Sequence, residues 1–196
     1  MKKASPLRQA AWRQIRILLL VIVAYLLQMN VMPFLQIADV SPNLLLTVIA
    51  IVSVGYGRVR AFWVGAVYGL ILETMQPTRE LFSLLLYPLS ALLGAMIFAD
   101  KSMRTLEYER SLGRAGRNTT PYLRTPLCAM VNALVFEIVN VTYIYLREGS
   151  INAGHIGRGV LSVVMTVVIT VVLMYPIRRL LGFRTVKPEP EAPKLY

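Results

Sequence analysis

Six apolar runs alternate with shorter polar segments along the chain. They cover residues 17–32, 44–56, 61–75, 81–98, 127–146 and 160–181. A helix needs about 20 apolar residues to cross the hydrocarbon layer of a membrane, and the last two runs reach that length. The second and third runs are short. Even with flanking residues they reach only the low end of the ~17–25 residue range, so a locally thinned bilayer or snorkelling side chains are expected there. The pattern predicts an all-α integral membrane protein built as a bundle of six transmembrane helices.

The composition supports this prediction. Of the 196 residues, 56% are hydrophobic and only 16% are charged, which is too apolar for a typical soluble domain of this length. The first run has a basic start, but it lacks the small-residue cleavage signature of a signal peptide and is followed by Pro33. We therefore expect it to remain as the first membrane helix.

Lys and Arg residues are divided unequally between the two sides that six spans would define. Only three of the 21, Arg79, Arg147 and Arg158, fall on one side, and all the others fall on the side of the two termini. Because cytoplasmic segments of membrane proteins are enriched in Lys and Arg, both termini are expected in the cytoplasm. The net charge of +11 is then explained by topology and by contact with anionic lipids, and not by nucleic acid.

The sequence predicts one membrane domain, residues 1–181, followed by a disordered cytoplasmic tail, residues 182–196, that is rich in Pro and Glu. The longest polar connection, at about residues 100–125, is expected to form a cytoplasmic loop. It could contact lipid or provide a docking surface for a cytoplasmic partner. The candidate contact residues are Arg104, Arg110, Arg114 and Arg117.

The third run carries small residues at a spacing of four, Ala61, Gly65 and Gly69, and the same spacing continues to Glu73. Residues at this spacing share one helical face, and small residues in membranes allow helices to approach closely. The face is most simply a helix-packing seam, and a pore or substrate path is the alternative. Similar stripes occur in the fourth and sixth runs, at Ser83, Tyr87, Ser90 and Gly94 and at Ser162, Thr166 and Thr170.

Glu73 is expected near the outer end of its helix, where the negative end of the helix dipole disfavours a carboxylate. It therefore needs water or a polar partner, and Arg79, Gln28 and Asn30 are the candidates.

Glu137 lies near the middle of the fifth run, with Asn140 one turn after it and Asn132 more than a turn before it. An unpaired ionised carboxylate inside a membrane is costly, and the cores of the predicted spans contain no Lys or Arg. We expect Glu137 to be protonated or bonded to Asn, Tyr or Thr groups inside the bundle. A structural role and a proton- or ligand-binding role both remain open.

The sequence does not indicate a catalytic site, a metal site or a disulfide. Cys128 and His155 are each the only residue of their type, so neither a disulfide nor a His/Cys metal site is expected, and we expect no cofactor. Glu73 and Glu137 could in principle act as acid and base, but they are predicted at different depths, and no hydrolase or metalloprotease motif accompanies them. An enzyme is therefore not expected.

The segment SPNLLLTVIAIVSVGYGRVRAFWVGAVYGLILETMQ resembles the core of the MreD family, the rod shape-determining membrane proteins of bacteria. That family is similar in its Pro-Asp/Asn-Leu-Leu-Leu start to the second span, a short basic turn and a Gly-x-x-x-Gly-Leu-x-x-Asp/Glu helix. The resemblance covers about residues 41–99, and the chain departs from it in having MQPTRELF after the acidic residue, where the family often has a Gly-rich turn. The matching positions are Pro42, Asn43, Gly65, Gly69, Leu70 and Glu73.

This resemblance implies a non-enzymatic scaffold or regulatory subunit of the cell-elongation complex, in the bacterial cytoplasmic membrane. It implies MreC as the partner, with a SEDS-family glycan polymerase, a penicillin-binding transpeptidase and MreB as further members of the complex. On this interpretation the seam residues and nearby polar groups would hold the membrane helix of MreC, as an alternative to packing helices of the chain itself. These residues are Asn43, Ala61, Gly65, Gly69 and Glu73. The resemblance also implies a fold similar to the substrate-binding membrane subunits of energy-coupling-factor transporters. Because size and number of spans fit equally well, a substrate-binding subunit of a vitamin-type transporter is the alternative function.

Overall fold

The computed structural model describes residues 6–75, 82–99, 108, 111, 112, 120–149 and 152–183. These residues form six α-helices and one short 3₁₀ turn, Met32–Leu35, which confirms the prediction of an all-helical chain with six helices. The helices are α1 (Pro6–Asn30), α2 (Leu44–Tyr56), α3 (Arg58–Met75), α4 (Phe82–Phe98), α5 (Pro121–Glu148) and α6 (Ala153–Leu180). Three of the predicted features lie outside the described residues: Arg79, the arginines of the loop (Arg104, Arg110, Arg114 and Arg117) and the tail from residue 184 onward.

Three helices are long and apolar enough to cross a membrane by length and composition. They are α1 from Ala11 to Asn30, α5 from Pro121 to Arg147, and α6. Helices α2 and α4 are apolar but shorter, with 13 and 17 residues. The outward faces of the bundle are also apolar, since Trp63 is 63% exposed, Leu146 77% and Val172 65%. A water-soluble surface rarely has this character, so the described residues fit a membrane protein.

Helix α2 forms the centre of the bundle and packs against all five other helices. Every residue from Leu44 to Val54 is buried. The helix has the same bounds as the apolar run, because each end is capped. The Asn43 side chain accepts from the backbone N–H of Leu46, and Gly57 ends the helix at φ 85° with its N–H bonded to the Ser53 carbonyl. At ~1.5 Å per residue, α2 is about 20 Å long.

After α1 and the 3₁₀ turn, the chain reaches α2 through a tight turn. Ile37 and Val40 exchange two backbone hydrogen bonds of 3.0 Å around Ala38 and Asp39, which have φ values of 52° and 61°. Positive φ at both central residues is the geometry of a type I′ turn. This turn allows the chain to reverse direction and start α2 inside the bundle.

Candidate functional site

Polar side chains from four helices meet around the first turn of α2. We call this group the polar junction. Its members come from α1, α2, α4 and α6, and most of them are buried. They are Gln28, Asn43, Thr47, Tyr87, Thr166 and Thr170.

The junction satisfies backbone N–H groups that no helical carbonyl can reach. The N–H of Asn43 donates to Thr166 Oγ1 at 3.0 Å. The N–H of Leu44 donates to Gln28 Oε1 at 2.6 Å, and that of Leu46 donates to Asn43 Oδ1 at 3.2 Å. The first four N–H groups of any helix lack intrahelical partners, and each one left unsatisfied in an apolar interior costs several kcal/mol. These three bonds explain why a helix can begin there.

Side-chain hydrogen bonds then join neighbouring helices to α2. Asn43 Nδ2 donates to the Tyr87 hydroxyl of α4 at 3.2 Å. The hydroxyls of Thr47 and Thr170 lie 2.8 Å apart and connect α2 to α6. Gln28 Nε2 of α1 donates to the Pro42 carbonyl at 3.3 Å. The junction therefore fixes the relative positions of α1, α2, α4 and α6.

Glu137 of α5 lies beside the junction. It is within electrostatic range of Tyr87, whose ring packs edge-on against Phe136 at a centroid distance of 5.2 Å. Asn140 Nδ2 donates to Glu137 Oε2 at 3.5 Å. The Glu137 side chain also covers Gly159 of α6, where an added Cβ would lie 3.6 Å from Oε2.

Asn132 does not belong to this group, although the sequence places it on the same helix as Glu137. It is fully buried and lies against α4, where a Cβ added to Gly94 would clash with its Oδ1. Its Nδ2 donates to Cys128 Sγ at 3.9 Å. The structure thus separates Asn132 from Glu137 and Asn140.

The small-residue face of α3 packs against α4 within the same chain. A Cβ added to Gly65 would lie 2.8 Å from the Tyr87 carbonyl oxygen, and one added to Gly69 would lie 2.6 Å from the Ser83 carbonyl oxygen. Ala61 on the same face is fully buried. Only glycine, which has no side chain, permits so close an approach of the α4 backbone at these two positions. Gly65 and Gly69 are therefore covered by α4.

Glu73 follows on this face and is half-buried in the last turn of α3. Two of its three candidate partners bond elsewhere, since Gln28 caps α2 and Asn30 Nδ2 donates to the Leu26 carbonyl of its own helix at 2.8 Å. The third, Arg79, lies outside the described residues.

Two functional side chains were not found from the sequence. Thr47 lies one turn after Asn43 inside an apolar run, and that spacing is the only signal that it shares the junction. Arg124 was counted only as a cytoplasmic charge, but its guanidinium donates to the carbonyl oxygens of Phe98 and Ala99. It thereby binds the C-terminal end of α4, where helical carbonyls lack intrahelical partners.

The chemistry available in these groups is hydrogen bonding. Among the residues that the structure describes, no three His, Cys, Asp or Glu side chains lie close enough to hold a metal ion. No known protein family, curated protein or solved structure matches the chain.

Proposed function

We propose that this protein is a non-enzymatic scaffold of the MreD type in the bacterial cytoplasmic membrane. It has six membrane helices with both termini in the cytoplasm, in a fold similar to the substrate-binding subunits of energy-coupling-factor transporters. It binds MreC and, through the elongation complex, supports peptidoglycan synthesis by a SEDS-family polymerase and a penicillin-binding transpeptidase together with MreB.

One observation carries this proposal. In the described part of the segment that resembles MreD, residues 41–75 and 82–99, three of the matching residues have structural roles that depend on their side chains. Asn43 caps the central helix and bonds Tyr87, while Gly65 and Gly69 let the α4 backbone approach α3. The motif therefore builds the framework of the bundle, as a scaffold requires.

The surface that binds MreC is then an outward face and not the small-residue seam. Gly65 and Gly69 are buried against α4, so they cannot contact another protein. Outward apolar side chains are available on α1, α3, α5 and α6, represented by Leu19, Trp63, Ile138 and Val168, which are between 52% and 63% exposed. A single membrane helix of a partner can pack on any one of these faces.

Site-specific photo-crosslinking tests the proposal. A photoreactive phenylalanine analogue is placed at each of the four outward positions in the full chain, with MreC co-expressed at its native level. We expect a crosslink to MreC from at least one of the four positions, and none from the buried control position Ile49. Absence of any MreC crosslink from all four positions, in protein that still reaches the membrane, would contradict the proposal.

The cellular test is depletion. In a rod-shaped source organism we expect cells to become spherical as the protein is lost, and a variant that breaks the MreC crosslink should fail to restore rods. Cells that keep their shape and width after complete depletion would contradict a role in elongation.

A further inference from the structure

An open cavity of about 430 Å³ lies at the end of the bundle where α1 starts and α2 and α6 end. We call it the basic cavity. Its volume is within the ~300–1,000 Å³ range of small-ligand sites. By the distribution of Lys and Arg, this end is the cytoplasmic one. The lining residues are Trp12, Arg13, Arg16, Tyr56, Leu181, Gly182 and Phe183.

Three guanidinium groups gather around one aromatic ring of this cavity. The guanidinium carbon of Arg13 lies 5.7 Å from the centre of the Tyr56 ring, and that of Arg60 lies 5.2 Å from it. Arg16 is within electrostatic range of the same ring. Among the described residues, no carboxylate forms an ion pair with any of these three arginines. Since like charges at close range repel each other, this arrangement favours an anion from outside the described chain.

Arg13 also has a donor without a partner. Its Nε is buried and makes no hydrogen bond to any described residue. Buried polar groups in folded proteins nearly always have a hydrogen-bond partner. Because Arg13 lines the cavity, a rotation of its side chain would bring this donor to an acceptor bound there.

One wall of the cavity is formed by Leu181, Gly182 and Phe183. Contacts to α2 hold this wall in place. The Tyr56 hydroxyl donates to the Leu181 carbonyl at 3.1 Å, and the Phe183 ring packs on Tyr56 at a centroid distance of 4.7 Å. Gly182 between them has φ 71°, and the place where its Cβ would be is only 3.0 Å from Arg16 Nη1. The wall is therefore formed before any ligand binds, which reduces the entropy lost on binding.

The chemistry of the cavity matches a phosphate. Guanidinium groups bind phosphate oxygens through paired, charge-assisted hydrogen bonds. Ile15, Leu18 and Leu19 of α1 are between 51% and 57% exposed just beyond the cavity and offer an apolar path for acyl chains. Trp12 is 53% exposed at the rim, which is typical of a side chain at the membrane interface.

We propose that the basic cavity binds the phosphate of an anionic phospholipid from the leaflet on the side of the termini. Arg13 and Arg16 bind the phosphate oxygens, Arg60 adds positive potential, and the acyl chains lie along α1. The proposal does not rest on MreC binding, and lipid binding can be tested in the absence of MreC.

Native mass spectrometry of the full chain, purified in mild detergent, tests this site with phosphatidylglycerol as the probe and phosphatidylcholine as the neutral comparison. We expect one tightly retained phosphatidylglycerol, and at least tenfold weaker binding of phosphatidylcholine. The double variant Arg13→Gln/Arg16→Gln should weaken phosphatidylglycerol binding at least tenfold. The charge-matched control Arg58→Gln/Arg179→Gln, at two exposed arginines of the same end, should bind like the unmodified chain.

A second variant changes the shape of the basic cavity without changing its charge. Gly182→Asn keeps a residue that tolerates a left-handed backbone but adds a side chain next to Arg16, so we expect binding to fall without a change of net charge. Elution volume and thermal midpoint check that each variant is folded. Equal losses in the two double variants, equal binding of phosphatidylcholine, or complete displacement of the lipid by millimolar inorganic phosphate would each overturn the proposal, the last by assigning the site to a soluble phosphate.

Discussion

The backbone N–H of Asn43 donates a 3.0 Å hydrogen bond to Thr166 Oγ1, which joins the residue before α2 to the middle of α6. Thr166 is fully buried, so water cannot replace this acceptor. The bond places the start of the central helix against a long helix that is more than twice its length. The positions of α2 and α6 are thus coupled through one side chain.

Thr166→Val removes the acceptor and keeps the shape of the side chain. The half-buried N–H of Asn43 then loses its partner, and an unsatisfied buried donor costs about 1–3 kcal/mol. We expect a lower thermal midpoint in detergent, measured by fluorescence-detected size exclusion after heating. The control is Thr142→Val, at an exposed position where the hydroxyl bonds only the Ile138 carbonyl of its own helix. Equal effects of the two substitutions would show that the bond from Asn43 contributes nothing specific.

Two substitutions of Asn43 test how much its side-chain hydrogen bonds contribute to stability. Asn43→Ala removes both the cap of Leu46 and the bond to Tyr87, and loss of an N-cap alone costs about 1 kcal/mol. Asn43→Asp keeps a cap acceptor, and the Tyr87 hydroxyl can rotate to donate to the carboxylate. We expect the alanine variant to lose stability and the aspartate variant to stay close to the unmodified chain in the same heating assay. The reverse order would contradict the capping role.

Gly65→Ala and Gly69→Ala test the contact between α3 and α4. Each new Cβ would lie within 3.0 Å of the α4 backbone, so the helices must move apart, at a cost of about 1–3 kcal/mol. Gly157→Ala in α6 is the matched control, because nothing lies within 4 Å of its added Cβ. Alanine is the better helix former by about 1 kcal/mol, so this control should raise the thermal midpoint. Similar midpoints for all three variants would contradict the close contact.

The sequence predicts the helices better than their contacts. The start of α2 is readable because Asn43, a favoured N-cap residue, directly precedes an apolar run. The spacing of Ala61, Gly65 and Gly69 is enough to predict that they share one helical face. Their small size indicates that the backbone of another helix approaches this face closely. Which backbone approaches is set by the tertiary arrangement, and a pattern along one helix carries no information about its neighbour.

Gln28 shows why part of the site could not be predicted. By its position near the end of α1 it was a candidate partner for Glu73, because both were expected at the outer ends of their helices. The segment after α1 instead reverses through the turn at Ala38 and Asp39, and this brings the start of α2 to Gln28. A turn with positive φ at alanine is not expected from sequence, since alanine disfavours that conformation.

The same turn gives the last prediction. Ala38 has φ 52°, and a left-handed conformation costs a residue with a Cβ about 1–2 kcal/mol. Ala38→Gly removes this strain, although glycine gains more freedom in the unfolded chain, so we expect a net stabilisation of about 0.5–1 kcal/mol. Ala11→Gly, at an exposed helical position of α1, should destabilise by about 1 kcal/mol. The two substitutions make the same chemical change, and a thermal midpoint that falls in both would show that Ala38 is not strained.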